Sequence, residues 1–298
     1  MHLPRIVAAP MAGGPTTPAL VNAVTFGFLA LGTCSAAQAS EWLAACRAPF
    51  GVNLFMPNEE PSLHDVSATA HLLHTTVPAA DATSGFGEKF ELVLGAAPAV
   101  VSSTFGAFSR EQVVQLHAVG SEAWVTVTSV EEAKAAVYAD GLIVQGPLAG
   151  GHRATWDQRE EPGIETLESL VEAIAPLGLP VIAAGGVRGP DGVEKLHALG
   201  VASVACGTAF LLADEASTSA RNRELLRSGA PSVSTRAFSG RYARGVETAF
   251  TRAHPDLPPI YPYLRPMTSE NDYCLVGADR GELMAAPASE IEAFLTGS

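Results

Sequence analysis

The amino-acid sequence predicts an α/β protein, a closed (β/α)8 barrel of the TIM type, on three observations. Short, nearly continuous apolar runs alternate with longer amphipathic segments, as parallel strands do when helices cover them on both faces. Eight such units can be counted by about residue 212, which favours closure over an open sheet. No GxGxxG follows the first run, so an open dinucleotide-binding sheet has no motif in its favour.

The elements follow in order. RIVAAP (5–10) is the first strand, and a helix is expected near Thr17 to Thr25. GFLALG (27–32) precedes a helix through AAQASEWLAACRA (36–48), and FGVNLF (50–55) is the third strand. An insert from Met56 to Phe90 follows, expected to form a lid or a rim, with helices around 66–77 and 87–95. AVVSSTFG (99–106) and SREQVVQLHAVG (109–120) make the fourth unit; AWVTVTS (123–129) and VEEAKAAVYA (130–139) make the fifth. GLIVQG (141–146) leads through a glycine-rich loop to the helix TLESLVEAIAPLG (166–178). PVIAAGG (180–186), PDGVEKLHALG (190–200) and SVACGTAFLL (203–212) complete the count. After residue 213 the pattern stops. The expectation is one barrel domain over residues 1–298, in which 213–298 is a helical and irregular C-terminal extension packed on the barrel.

Composition narrows the function. Apolar residues make up 47% of the 298 and charged residues only 16%, so a large core is available. A net charge of −13 with no Lys/Arg run disfavours nucleic acid and anionic membranes. No apolar stretch reaches the length of a spanning helix, and the N-terminus lacks the pattern of a signal peptide. Cys34, Cys46, Cys206 and Cys274 contain no CxxC pair. These features predict a soluble cytoplasmic protein with reduced thiols and a small-molecule substrate; homo-oligomerisation stays open.

Glycine marks the expected site. Ala-Gly-Gly occurs at 12–14, 149–151 and 184–186, each time just past the carboxyl end of a predicted strand, the face on which barrel enzymes build their sites. Glycine admits positive φ and lets a ligand approach the main chain. The loops after strands seven and eight bind phosphate in many barrels, so the amides of Gly185, Gly186, Gly207 and Thr208 are candidate donors to one. His152 follows Gly150 and Gly151 on the same face, where an imidazole can exchange protons near neutral pH.

Other residues carry weaker signals. His71 and His74 share a helix face near His64, but no local ligand set completes a metal site, and none is expected. Cys206 reads as a buried small hydrophobe. Ser102, Ser103 and Thr104 fit either substrate contact or helix capping. Tyr242, Tyr261 and Tyr263 fit packing or closure of the site, and Arg236 and Arg241 fit either an anion or the acidic surface.

The motifs APMAGG (9–14), FGVNLF (50–55), VSSTFG (101–106), QGPLAGGH (145–152), AAGGV (183–187), CGTAFL (206–211) and TRAFSGRYARG (235–245) together resemble the nitronate monooxygenases, formerly 2-nitropropane dioxygenases, FMN-dependent barrel enzymes. The resemblance implies FMN on the carboxyl face. Pro10, Met11 and Ala12 would line its ring, and Asn53 and Gln145 would hydrogen-bond it. Gly150, Gly185, Gly186, Gly207 and Thr208 would hold the ribityl chain and phosphate. It makes His152 the acid/base beside the substrate; Ser103, from its place at the end of the fourth strand, is a candidate further substrate contact. The reaction it implies is oxidation of alkyl nitronates by O2 to carbonyl compounds and nitrite. Two other readings stand beside it: an FMN-dependent NAD(P)H reductase of an enoyl thioester or quinone, and a non-redox barrel that binds a phosphorylated metabolite. The chain departs from the family where Pro147-Leu148 replaces the Glu usual before Ala-Gly-Gly-His, and where CLVGADRG (274–281) replaces a Trp-Ala-Gly-Gln pattern.

Overall fold

The computed structural model describes residues 2–278 and 281–298. The chain runs β1 (Ile6–Ala8), α1 (Pro18–Ala23), β2 (Phe28–Ala30), α2 (Ala36–Ala45), β3 (Gly51–Phe55), α3 (Leu63–Leu72), α4 (Phe86–Ala96), β4 (Val100–Thr104), α5 (Arg110–Ala118), β5 (Glu122–Val127), α6 (Val130–Ala135) and β6 (Gly141–Gln145). It continues with β7 (Gly151–His152), α7 (Leu167–Ile174), β8 (Val181–Ala184), α8 (Pro190–Ala198), β9 (Ser203–Cys206), α9 (Ala220–Arg227), β10 (Ser232–Thr235), β11 (Ala243–Val246), α10 (Ala249–Ala253), α11 (Leu264–Met267) and α12 (Ala288–Thr296).

Among the described residues, eight strands form one parallel sheet in the order β1-β9-β8-β6-β5-β4-β3-β2. The bridge between Ala8 and Gly27, with the Ala8 amide donating to the Phe26 carbonyl at 3.0 Å, brings β2 back to β1 and closes the barrel. Alternation along each strand separates two cores. Val7, Phe28, Val100, Trp124, Ile143, Ile182 and Ala205 form the cluster inside the barrel. Ile6, Ala8, Val52, Leu54, Val101, Val125 and Leu142 belong to the cluster shared with the helices. Interior bulk is paired with interior glycine. A Cβ on Gly51 would stand 2.6 Å from the Phe28 ring, and one on Gly141 would stand 2.7 Å from the Trp124 ring. Burying each such aromatic side chain contributes about 1.5–3 kcal/mol.

On β3, β4, β5 and β6 the inward-facing positions one step closer to the carboxyl ends are polar, Asn53, Ser102, Thr126 and Gln145, while β2 and β8 place Ala30 and Ala184 there. An apolar plug therefore carries a hydrogen-bonding floor, and the site is built on that floor.

Helix starts follow local chemistry. The side chains of Ser35, Ser109, Ser129, Thr166 and Ser219 each accept the amide three residues on, worth about 1 kcal/mol apiece. α3 stops at Leu72, short of the expected 77, and His74 beyond it takes φ +52°. The eighth apolar run ends as a strand at Cys206; Gly207 then turns the chain into a 3-10 turn over Thr208–Phe210.

The C-terminal segment differs from the helical and irregular extension expected. It contributes β10 and β11, which pair antiparallel with each other, and β11 pairs in turn with β7. The eighth strand also has no helix directly after it. α12, at the end of the chain, packs against α8 and α1 and fills that place in the outer ring. Glu292 on α12 accepts the Thr25 amide at 3.0 Å.

Candidate active site

The site lies at the carboxyl ends of the strands. On its floor, Asn53 is buried at 3% exposure and donates to Ser102 Oγ (2.9 Å) and Thr104 Oγ1 (3.0 Å). Ser103 has the opposite parity: its hydroxyl donates to the Gly106 carbonyl at 2.7 Å and fixes the turn after β4. The hydroxyls that turn inward are its neighbours Ser102 and Thr104.

Gln145 organises one wall. Its Nε2 donates to the His152 carbonyl (3.0 Å), and its Oε1 accepts the Ala154 amide (2.9 Å). The Arg153 guanidinium donates to the Gln145 carbonyl at 2.7 Å. Burial pushes that guanidinium down to about 10, against the pull of Glu132 and Glu165, so it stays charged at neutral pH. The amide of Gln145, assigned to the cofactor by resemblance, thus also holds the His152 loop.

His152 stands where three aromatic rings meet. The Phe55, Phe105 and Tyr261 centroids lie 6.2, 5.8 and 5.5 Å from the imidazole, all edge-on. Phe105 reaches this position from a left-handed backbone, φ +73°, which costs a bulky residue about 1–2 kcal/mol. Tyr261 comes from the C-terminal segment, and burial pushes its phenol up while a hydrogen bond to Ser84 opposes the shift. His152 Nε2 lies 2.7 Å from Ser239 Oγ. That hydroxyl also lies 3.4 Å from the Arg241 carbonyl; if it donates there, Nε2 carries the proton and Nδ1 the lone pair, and if it donates to Nε2, the proton sits on Nδ1. Burial first, and then the Arg241 charge, push the imidazole down to about 3, so it is neutral at pH 7.

The glycine wall adjoins. Gly150, Gly185 and Gly186 meet through the 148–150 loop: a Cβ on Gly185 would stand 3.0 Å from Ala149 and one on Gly186 3.0 Å from Leu148. Gly185 and Gly186 have φ +119° and +79°, which glycine alone adopts without strain. Gly207 borders Ala9 and Met11, and Thr208 Oγ1 accepts the Gly277 amide at 2.9 Å. Among the described residues, the amides of Gly185, Gly186 and Gly207 have no acceptor. Three main-chain donors left unpaired, two of them on a loop where a side chain would be crowded, suit a multiply charged oxyanion such as a cofactor phosphate. Pro10, Met11, Ala12, Gln145, Gly150 and His152 all keep partial exposure, so this face opens to solvent.

The insert and the C-terminal segment meet above the site. Gln158 Nε2 donates to the Glu59 carbonyl at 3.2 Å, and Tyr263 donates to Glu60 at 3.1 Å. The insert is thereby part of the rim. Phe55, Phe105 and Ser239 carried no signal as site residues in the sequence. No three potential metal-ligating side chains gather among the described residues. Cys206 is buried, with its thiol pushed up to about 12 by burial.

The fold is a (β/α)8 barrel whose candidate site lies at the carboxyl ends of its strands. The family model for nitronate monooxygenase matches residues 1–284. A nitronate monooxygenase of Pseudomonas aeruginosa is 33% identical, over 96% of this chain and 93% of that protein. A probable nitronate monooxygenase of Staphylococcus aureus is 30% identical, over 89% and 82%. Among solved structures, the nitroalkane oxidase of Streptomyces ansochromogenes superposes with TM-score 0.86 at 31% identity, covering 98% of this chain and 94% of that one. FabK of Thermotoga maritima, at TM-score 0.74 and 21% identity over 98% and 91%, shares the fold. The chain belongs to the nitronate monooxygenase family and is an oxidoreductase.

Proposed function

We propose that this chain binds FMN and oxidises alkyl nitronates with O2 to carbonyl compounds and nitrite. The observation that carries the reading is the adjacency of an unpaired amide cradle to a neutral histidine ringed by aromatic side chains. Gly185, Gly186 and Gly207 would bind the phosphate, and Thr208 and Gly150 would hold the strap at 276–278 against it. Pro10, Met11 and Ala12 would border the ring, with Asn53 and Gln145 at its polar edge. Bound FMN supplies the electron transfer between nitronate and O2.

The remaining work falls to side chains. Phe55, Phe105 and Tyr261 exclude water around the reacting carbon. The neutral His152 orients the nitronate, and in the tautomer with Nε2 protonated its Nδ1 lone pair is the acceptor for an α proton when the substrate arrives as the nitroalkane. An imidazole of such low basicity makes the preformed nitronate the better substrate. Ser103, turned to the Gly106 carbonyl, is left out of the substrate contacts. We place the enzyme in the cytoplasm, in keeping with its free cysteines. No helix among the described residues is long and apolar enough to cross a membrane.

The test is O2 uptake by purified protein with propionate 3-nitronate. Uptake well above a free-FMN control is expected; uptake equal to the control rejects the reading.

A further inference from the structure

From the sequence, Arg236 and Arg241 each fit either an anion or the acidic surface, and the structure separates them. Arg236 is 14% exposed, stacked over the Tyr242 ring at 4.2 Å, and has a carboxylate beside it, the exposed Glu161 at 3.5 Å. Arg241 is 1% exposed, one of the largest fully buried side chains. Its guanidinium donates to the Thr155 and Trp156 carbonyls and to Asn58 Oδ1 (2.7 Å), all neutral acceptors. Its Nε has no partner, and among the described residues no carboxylate lies within 4 Å of it. Its face lies 4.0 Å from the centroid of Phe105, the ring that touches His152. Burial pushes the guanidinium down to about 10, opposed by Tyr261, then Asp157 and Glu132, none of which forms an ion pair with it.

A buried cation without a counter-ion is costly, and a protein that keeps one gains something from its field. Here the field falls on two things, the imidazole and whatever occupies the aromatic pocket. Nearby positive charge opposes protonation of an imidazole and attracts an anion. The chain as a whole carries −13, which would repel a small anion, so a local positive centre is needed to admit one.

We propose that Arg241 is the positioning residue of this site: its buried guanidinium, stacked on Phe105, adds to burial in keeping the His152 imidazole uncharged and supplies the positive potential that draws an anionic substrate into the aromatic pocket. The second half rests on the nitronate reading; the first half does not. Of the charges around His152, that of Arg241 is the one that acts on the ring. Tyr261 is a neutral phenol, Phe55, Phe105 and Ser239 are uncharged, and the adjacent Arg153 turns to Gln145 and couples to Glu132.

The experiment is an NMR titration of ring-15N-labelled histidine in the flavin-loaded protein, wild type, Arg241→Gln and Arg241→Lys. His152 is assigned from the signal lost in His152→Asn. Wild-type His152 is expected to keep the shifts of neutral imidazole down to pH 5. In Arg241→Gln its midpoint should rise by about one pH unit or more, and in Arg241→Lys, which keeps the charge, it should stay near wild type. In parallel, KM for ethyl nitronate should rise about tenfold or more in Arg241→Gln, with a much smaller change for neutral nitroethane. A wild-type His152 that titrates between pH 6 and 7 overturns the proposal and requires no variant to fold. So does an Arg241→Lys protein that behaves like Arg241→Gln, because packing rather than charge would then be the role. A wild type inactive on every nitronate would sink the functional reading and leave the titration result standing.

Discussion

Gly150→Ala is the sharpest perturbation of the cradle. A Cβ built at Gly150 stands 2.5 Å from the Gly277 nitrogen and 2.6 Å from the Val276 carbonyl carbon, both main-chain atoms that cannot rotate aside. Ordinary contact begins near about 3.5 Å, so the strap at 276–277 must retreat by about 1 Å. That displacement breaks the 2.9 Å bond from the Gly277 amide to Thr208 Oγ1 and strains the 3.0 Å bond from the Ala278 amide to the Leu148 carbonyl. Overpacking costs about 1–3 kcal/mol and the lost hydrogen bond about 1 kcal/mol, or about 2–4 kcal/mol in all. Thermal melting should fall by about 5–10 °C, and flavin fluorescence titration should show binding weakened at least about tenfold. Gly151→Ala is the control. Its φ of +80° makes alanine strained, but no atom lies within 4 Å of the new Cβ, so the melting point should drop less and flavin binding should stay near wild type. A Gly150→Ala protein that melts and binds flavin like wild type would refute the claim that the strap closes against this glycine.

Other outcomes follow from single contacts. Gln145→Ala leaves the Ala154 amide and the His152 carbonyl without partners, which should cost about 2 kcal/mol in urea unfolding and lower kcat by loosening the loop. Ser239→Ala removes the hydroxyl 2.7 Å from His152 Nε2 and should reduce kcat for nitronates about tenfold while the melting point changes little; an unchanged kcat would show that the ring is oriented by its aromatic neighbours alone. His152 also sets a pH dependence of stability. Its folded value, about 3, lies below the ordinary 6.5, so between those limits the unfolded chain binds a proton that the folded chain does not. Stability from this group is therefore full above 6.5 and falls by about 1.4 kcal/mol per pH unit on acidification below it. Urea unfolding of His152→Gln at pH 7 and pH 5 should show a correspondingly smaller loss than wild type.

The barrel was legible because its strands are buried on both faces and read as unbroken apolar runs between helices. The cradle was legible because φ near +80° and contacts near 3 Å demand glycine, and glycine is visible in a sequence. The same burial hid the parity of β4: in VVSST both faces carry a hydroxyl, so nothing in the sequence separates the inward Ser102 and Thr104 from Ser103. Phe55, Phe105 and Tyr261 lie far apart along the chain and meet only through tertiary packing, so no spacing announces them. β10 and β11 are short, partly exposed and carry Ser, Thr and Arg, and β11 gains its meaning from pairing with the His152 loop. The eighth outer helix escaped notice because it follows its strand by more than eighty residues instead of a few. Leu148, where the family usually has Glu, is 46% exposed, so that substitution falls at the surface of the loop.

Main-chain amides that take a phosphate are tested most directly by calorimetric titration of the flavin-free protein with FMN and with riboflavin, which differ only by that group. Hydrogen bonds to a charged acceptor contribute about 1.5–3 kcal/mol each, so two or more from Gly185, Gly186 and Gly207 predict FMN binding at least about 100-fold tighter than riboflavin, one per chain. Equal affinity for the two, or no binding of either, would contradict it.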